Sequence, residues 1–139
     1  MRSSLLYRIA SVLILLFAIG HTLGFRNVDP RWGIDSTIAS MKTIHFNAQG
    51  FQRTYWDFYA GFGFFVTLFL LLAAIMAWQL GSFSRPMVSP AQSLAWALTA
   101  SFAILVFLSW RYFFIAPVIF SSVIFLCLLG ATLMSARNH

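Results

Sequence analysis

The chain has 139 residues, of which 60% are hydrophobic and only 9% charged, against roughly 25% charged in an average soluble domain. Nine Lys and Arg stand against three Asp and no Glu, for a formal net charge of +6, and the lone Cys127 excludes an internal disulfide. A chain this short cannot hide so much apolar surface from water, which excludes soluble globular, disordered, collagen-like and disulfide-framework proteins. The cations are scattered between apolar blocks with no basic stripe, so they read as headgroup anchors and not as a nucleic-acid surface.

Four stretches without Asp, Glu, Lys or Arg organise the chain: residues 9–25, 58–84, 86–110 and 112–136, of 17, 27, 25 and 25 residues. A spanning helix needs about 20 mostly apolar residues. The expected fold class is therefore all-α: a four-transmembrane-helix bundle in one integral membrane domain, residues 1–139. The first helix covers about 5–25, with Arg8 snorkelling towards the interface. Arg2, Arg8 and the apolar run 12–18 have the outline of a signal peptide. Ile19-Gly20-His21 offers no small-x-small cleavage site, so the segment is expected to stay as a span. By helical spacing His21 shares a face with Ser11, Ala18 and Thr22, opposite Val12, Leu16, Ile19 and Leu23. It therefore points inward, as a proton carrier or as a histidine bonded to a neighbouring helix. Gly20 and Gly24 make a G-x-x-x-G.

The connection from 26 to 53 is too long for an idle loop. Asp29-Pro30 and Trp32-Gly33 mark turns, and Asp35 then caps a short amphipathic helix, about 36–46, with Ile34, Ile38, Met41 and His45 on one stripe. Thr54-Tyr55-Trp56-Asp57 is a capping box that opens a second long helix, about 55–80. Gly81 supplies its left-handed end, and at about 39 Å the helix must tilt or protrude. Arg53, four residues before Asp57, can pair with it, Asp57 being expected to meet a cation, Arg53 or Arg111, and Gly61-Phe62-Gly63 reads as a packing notch. Ser89-Pro90-Ala91-Gln92 is a second capping box, opening a helix at about 90–110 that carries a small-residue stripe, Ser93, Ala97 and Ser101. After a turn at Trp110-Arg111-Tyr112 the last helix covers about 115–134, with Pro117 at its start or kinking its first turn.

Four spans put both termini on one side. Arg2, Arg8, Arg85 and Arg137 fall there, against Arg26, Arg31, Lys42, Arg53 and Arg111 opposite. The count is even-handed. The lead of Arg2 and Arg8 favours both termini in the cytoplasm.

Polar chemistry gathers on the side away from the termini: His21, His45, Arg53, Tyr55, Asp57, Tyr59, Trp110, Arg111 and Tyr112. Ionisable groups at membrane depth are costly and mark ligand or proton sites. Asp57 is either a cap with an ion pair or a ligand. Arg111 is a headgroup anchor in an aromatic belt or a cation that recognises an acidic headgroup. His21, Asp57 and Tyr59 are the candidates for acid–base work. No Cys cluster or phosphate-cradling loop is present, so no metal and no cofactor is expected; haem between His21 and His45 has no second signal behind it.

Gly20-His21-Thr22-Leu23-Gly24, Met41 and the run from Arg53 through Tyr55-Trp56-Asp57-Phe58-Tyr59-Ala60-Gly61 resemble a group of uncharacterised small bacterial inner-membrane proteins. These share a G-H-T near the end of helix 1 and a W-D-x-Y-x-G start to helix 2. The architecture is similar to DoxX-like proteins and to the emopamil-binding (EXPERA) superfamily, four-span bundles that include sterol isomerases. That resemblance implies a bacterial inner-membrane location and an apolar ligand among the helices. The isomerases use acidic residues inside their spans; this chain brings only Asp57, at a helix end. Three readings follow. The first is a protein that binds a lipid, quinone or other apolar molecule in a cleft at the His21/Asp57/Arg111 end. The second is an intramembrane acid–base enzyme using His21 and Asp57. The third is an accessory subunit docking a membrane-complex partner or a second copy through small-residue faces. Membrane lipid is a partner in all three.

Overall fold

The computed structural model describes residues 2–83 and 89–137. In chain order the elements are α1 (Arg2–Arg26), a 3-10 turn (Pro30–Trp32), α2 (Asp35–Thr43), β1 (His45–Ala48), β2 (Phe51–Thr54), α3 (Tyr55–Ser82), α4 (Ser89–Tyr112) and α5 (Ile115–Ala136). Helices α1, α3, α4 and α5 are each long and apolar enough to cross a membrane. The fold class is all-α, a helical bundle, and the chain is a multi-pass membrane protein. Arg85 and the side chains of Arg2, Ser89 and Pro90 lie outside the described residues, and with them the second capping box. Two compact units make up the chain, one from residues 1–17 and 70–139, the other from residues 18–69.

In the first unit the buried residues recur at helical spacing: Tyr7, Ala10 and Ile14 on α1, Leu70, Ala74 and Ala77 on α3, Ala95, Leu98 and Phe102 on α4, and Ile124, Leu128 and Ala131 on α5. The outward faces are as apolar as the core, with Leu72, Ile104 and Leu126 exposed, as expected where lipid replaces water. Helices in lipid associate through close packing and interhelical hydrogen bonds, and both are present. On α1, Ser4 donates to the Gly81 carbonyl and Ser11 to the Ala74 carbonyl at 2.7 Å, a spacing of two turns. The Arg8 guanidinium lies 5.1 Å over the Trp78 ring. Tyr7, Thr132 and Thr99 meet in the interior, Tyr7 Oη to Thr132 Oγ1 at 3.1 Å and Thr132 Oγ1 to Thr99 Oγ1 at 3.1 Å.

Gly81 and Pro117 sit differently from what the sequence suggests. Gly81 does not end α3 in a left-handed conformation; the helix continues to Ser82, and among described residues the positive-φ glycines are Gly33 and Gly50. A Cβ on Gly81 would stand 3.0 Å from the Ser4 carbonyl oxygen and 3.3 Å from the Tyr7 Cβ. Its bare Cα is what lets α1 approach. Pro117 is the third residue of α5, still within the first turn, where a missing N–H costs nothing. Its carbonyl accepts from Ser121 Oγ at 2.7 Å.

The second unit holds the end of α1, the long connection and the start of α3. Asp29 caps the 3-10 turn, accepting the Arg31 N–H at 2.9 Å, and pairs with the Arg31 guanidinium at 2.6 Å. That guanidinium holds the Asp29 carboxyl below the usual carboxylate range. Asp35 is the first helical residue of α2, not its cap; Ile34 is the cap and makes no side-chain bond. The amphipathic segment also stops earlier than its stripe suggests, at Thr43, because His45 and Phe46 enter an antiparallel hairpin. His45 pairs with Thr54 and Phe46 with Arg53. Gln49 and Gly50 close it with φ of 53° and 94°, the two positive values of a type I′ turn. The Gly50 N–H bonds to Asn47 Oδ1 at 2.7 Å. The Phe46 ring stacks on Phe58 at 5.9 Å and meets Tyr55 at 5.1 Å, and the Lys42 ammonium sits 4.4 Å from the Trp56 ring. The connection is thus docked on the first turns of α3.

Candidate functional site

Helix α3 begins with a complete capping box. Asp57 Oδ2 accepts from the Thr54 N–H at 2.8 Å and from Thr54 Oγ1 at 3.0 Å, while the Asp57 N–H reaches Thr54 Oγ1 at 3.2 Å. Thr54 is at once the last residue of β2, buried at 5% exposure, and the residue before the helix. Asp57 itself is exposed.

The expected Arg53–Asp57 ion pair is not formed; among described residues the ion pair is Asp29–Arg31. The spacing of four was read as helical, but Arg53 is a strand residue, and the i,i+4 rule holds only inside a helix. Arg53 Nη1 instead donates to the Gln52 carbonyl at 2.9 Å, and its guanidinium lies 5.2 Å over Phe51. Asp57→Asn, which keeps an oxygen for both Thr54 bonds, is therefore expected to cost no more than about 1 kcal/mol of stability. Thermal unfolding in mild detergent checks this; a loss of about 3 kcal/mol or more would indicate a buried ion pair after all.

Arg53 and Asp57 nevertheless share a feature. They head a groove of about 310 Å³ whose other walls are Phe58, Gly61, Phe62 and Phe65. Positions 58, 61, 62 and 65 recur at spacings of three and four and so form one stripe of α3. A Cβ on Gly61 would meet nothing within 4 Å, so this glycine leaves the groove floor open. Gly63, two residues on, is different: a Cβ there would stand 2.7 Å from the Phe25 ring. Of the expected G-x-G notch, only Gly63 packs against a neighbour, and Gly20 and Gly24 of the G-x-x-x-G have nothing within 4 Å.

His21 points inward, as its helical face requires. It is half-buried with Ser11 and Ala18 buried and Thr22 half-buried, while Val12, Leu16, Ile19 and Leu23 are exposed. Its Nε2 is 3.1 Å from the Gly63 carbonyl. A carbonyl only accepts, so Nε2 carries the proton and donates. Thr22 Oγ1 and Thr67 Oγ1 meet at 2.8 Å one turn away, and Phe25 packs between His21, Tyr59 and Phe64. Asp57 and Gly63 are six residues apart, about 9 Å of helix rise, and His21 does not line the groove. His21 is a helix–helix clasp in this arrangement.

The other expected site residues fall as follows. Tyr55 and Tyr59 are exposed on the first turns of α3, Tyr59 against Trp56 at 5.3 Å. His45 is exposed on β1 and its Nδ1–H donates to the Thr43 carbonyl at 2.9 Å. Trp110, Arg111 and Tyr112 belong to the other unit. They form the last turn of α4, not a loop, with the Arg111 guanidinium 5.3 Å over Tyr112 and both aromatic rings exposed. The groove and the hairpin that flanks it were missed from sequence. The available signal was Gln49-Gly50, a turn-favouring pair between two short stretches free of helix-period patterning. Comparison with protein-family models, with curated proteins and with solved structures finds no match.

Proposed function

We propose that this multi-pass membrane protein binds a lipid, quinone or other apolar molecule in the groove headed by Arg53 and Asp57. The observation that carries this reading is the groove itself: an apolar strip on a membrane-length helix, left open by a glycine, that ends at two charges. Binding sites for small molecules are typically apolar walls with a few polar groups that fix orientation. The resemblance noted above and the lead of Arg2 and Arg8 add the expectation of a bacterial inner membrane with both termini in the cytoplasm.

Gly61→Leu tests the reading. A Cβ at this position meets nothing within 4 Å, and the leucine extends from it into the groove, so the folded variant should purify with several-fold less co-purifying apolar molecule than the wild type, measured by native mass spectrometry in mild detergent. Equal occupancy in both proteins would overturn the proposal.

A further inference from the structure

We infer that the head of this groove selects a zwitterionic phospholipid bearing a primary ammonium, with its phosphate on Arg53 and its ammonium on Asp57; the inference rests on the groove reading above. Opposite charges line one groove and are not paired with each other. The protein uses only part of each. Arg53 engages Nη1 with the Gln52 carbonyl and one ring face with Phe51, so Nε and Nη2 have no hydrogen-bond partner among the described residues. Asp57 takes both Thr54 bonds on Oδ2, and Oδ1 accepts none among the described residues. A fork of guanidinium donors matches phosphate oxygens, and a free carboxylate oxygen matches an ammonium N–H.

The alternatives each match the two groups less completely. An anionic lipid could set its phosphate on Arg53 but would bring no cation to Asp57. An uncharged quinone or sterol would cover both charges and satisfy neither. A trimethylammonium headgroup matches Asp57 in sign but has no N–H to donate. Selection by leaving the wrong ligand's partner unmatched is a common source of specificity. Below the charges, the strip from Asp57 to Phe65 rises about 12 Å along α3, enough to lay down part of an acyl chain against Phe58, Phe62 and Phe65.

The test uses full-length protein, delipidated in mild detergent and offered an equimolar mixture of phosphatidylethanolamine, phosphatidylcholine and phosphatidylglycerol. Native mass spectrometry reads what stays bound. The wild type should retain the ethanolamine lipid about tenfold over the other two, the worth of one charge-assisted hydrogen bond. Asp57→Asn should bring the ethanolamine-to-glycerol ratio to about one or below, with total bound lipid maintained. Arg53→Gln should lower retention of all three about tenfold. A wild type that takes the glycerol lipid as readily as the ethanolamine lipid, or an Asp57→Asn ratio equal to that of wild type, overturns the headgroup assignment. In that case lipid loss in Gly61→Leu still supports the groove. If Gly61→Leu binds as much lipid as wild type, the groove reading fails and takes the headgroup assignment with it.

Discussion

Leucine at position 81 should destabilise the folded protein by about 1–3 kcal/mol, the usual scale of overpacking, while leucine at position 61 should leave stability unchanged or slightly raised. The two substitutions are chemically identical and lie on the same helix. Gly61 lies in the helix interior, where leucine gains roughly 0.5–1 kcal/mol over glycine. At Gly61 nothing opposes that gain, because a Cβ meets open space. At Gly81 a Cβ alone would stand 3.0 Å from the Ser4 carbonyl oxygen and 3.1 Å from the Arg8 Cγ. The first of these is backbone and cannot swing aside, so α1 has to move. That movement also breaks the Ser4 bond to the Gly81 carbonyl. Thermal unfolding in mild detergent reads the difference directly. Equal melting temperatures for the two variants would show that α1 does not rely on close approach at Gly81.

Thr132→Val should cost about 1–2 kcal/mol, near the upper end for interhelical hydrogen bonds in membranes. Direction in this chain of hydroxyls can be assigned. Thr99 Oγ1 donates to the Ala95 carbonyl at 2.8 Å, so its single proton is engaged and it accepts from Thr132. Thr132, having given its proton to Thr99, accepts from Tyr7. Thr132 is fully buried, and valine matches its shape while removing both bonds. The Tyr7 hydroxyl keeps Ser135 within reach, which bounds the loss. Tyr7→Phe leaves the Thr132–Thr99 bond in place and should cost about 0.6 kcal/mol. In the double variant the costs should fall short of additive, because both substitutions delete the same bond. Strict additivity would mean that the three hydroxyls do not act as a chain.

Much of this was legible in the sequence, for identifiable reasons. The four spans follow from long uncharged stretches, which few other structures produce. The Thr54–Asp57 box and the inward face of His21 follow from local rules that act within one or two turns. Legibility ended where a local rule met a change of secondary structure. The stripe Ile34, Ile38, Met41 and His45 keeps helical period through His45, but residues 45–48 pair across the hairpin, and that pairing decides. The strands are four residues each and mostly exposed, so they leave little alternation to read. Arg53 looked like a helical partner of Asp57 for the same reason, but it stands two residues before the helix begins at Tyr55. The groove was invisible because it depends on which face of α3 stays open, and lipid-facing and ligand-facing apolar residues look alike in a sequence. Gly81 was read as a terminator by its position near the end of an apolar block. Its use, close approach of a second helix, depends on residues more than seventy positions away.

The junction at Thr54 also fixes where the chain can vary in length. One residue closes the hairpin against His45 and caps α3, with no linker between strand and helix. An extra residue after Thr54 would turn every α3 side chain by about 100° relative to the hairpin. One inserted inside β2 would swap the strand's two faces. Either change would pull Arg53 and the Phe46–Phe58 stack out of line with the groove. Insertions and deletions in this connection should be tolerated best at its opposite end, between Arg26 and Asp35, where the residues are exposed or half-exposed and the backbone makes only local turn bonds.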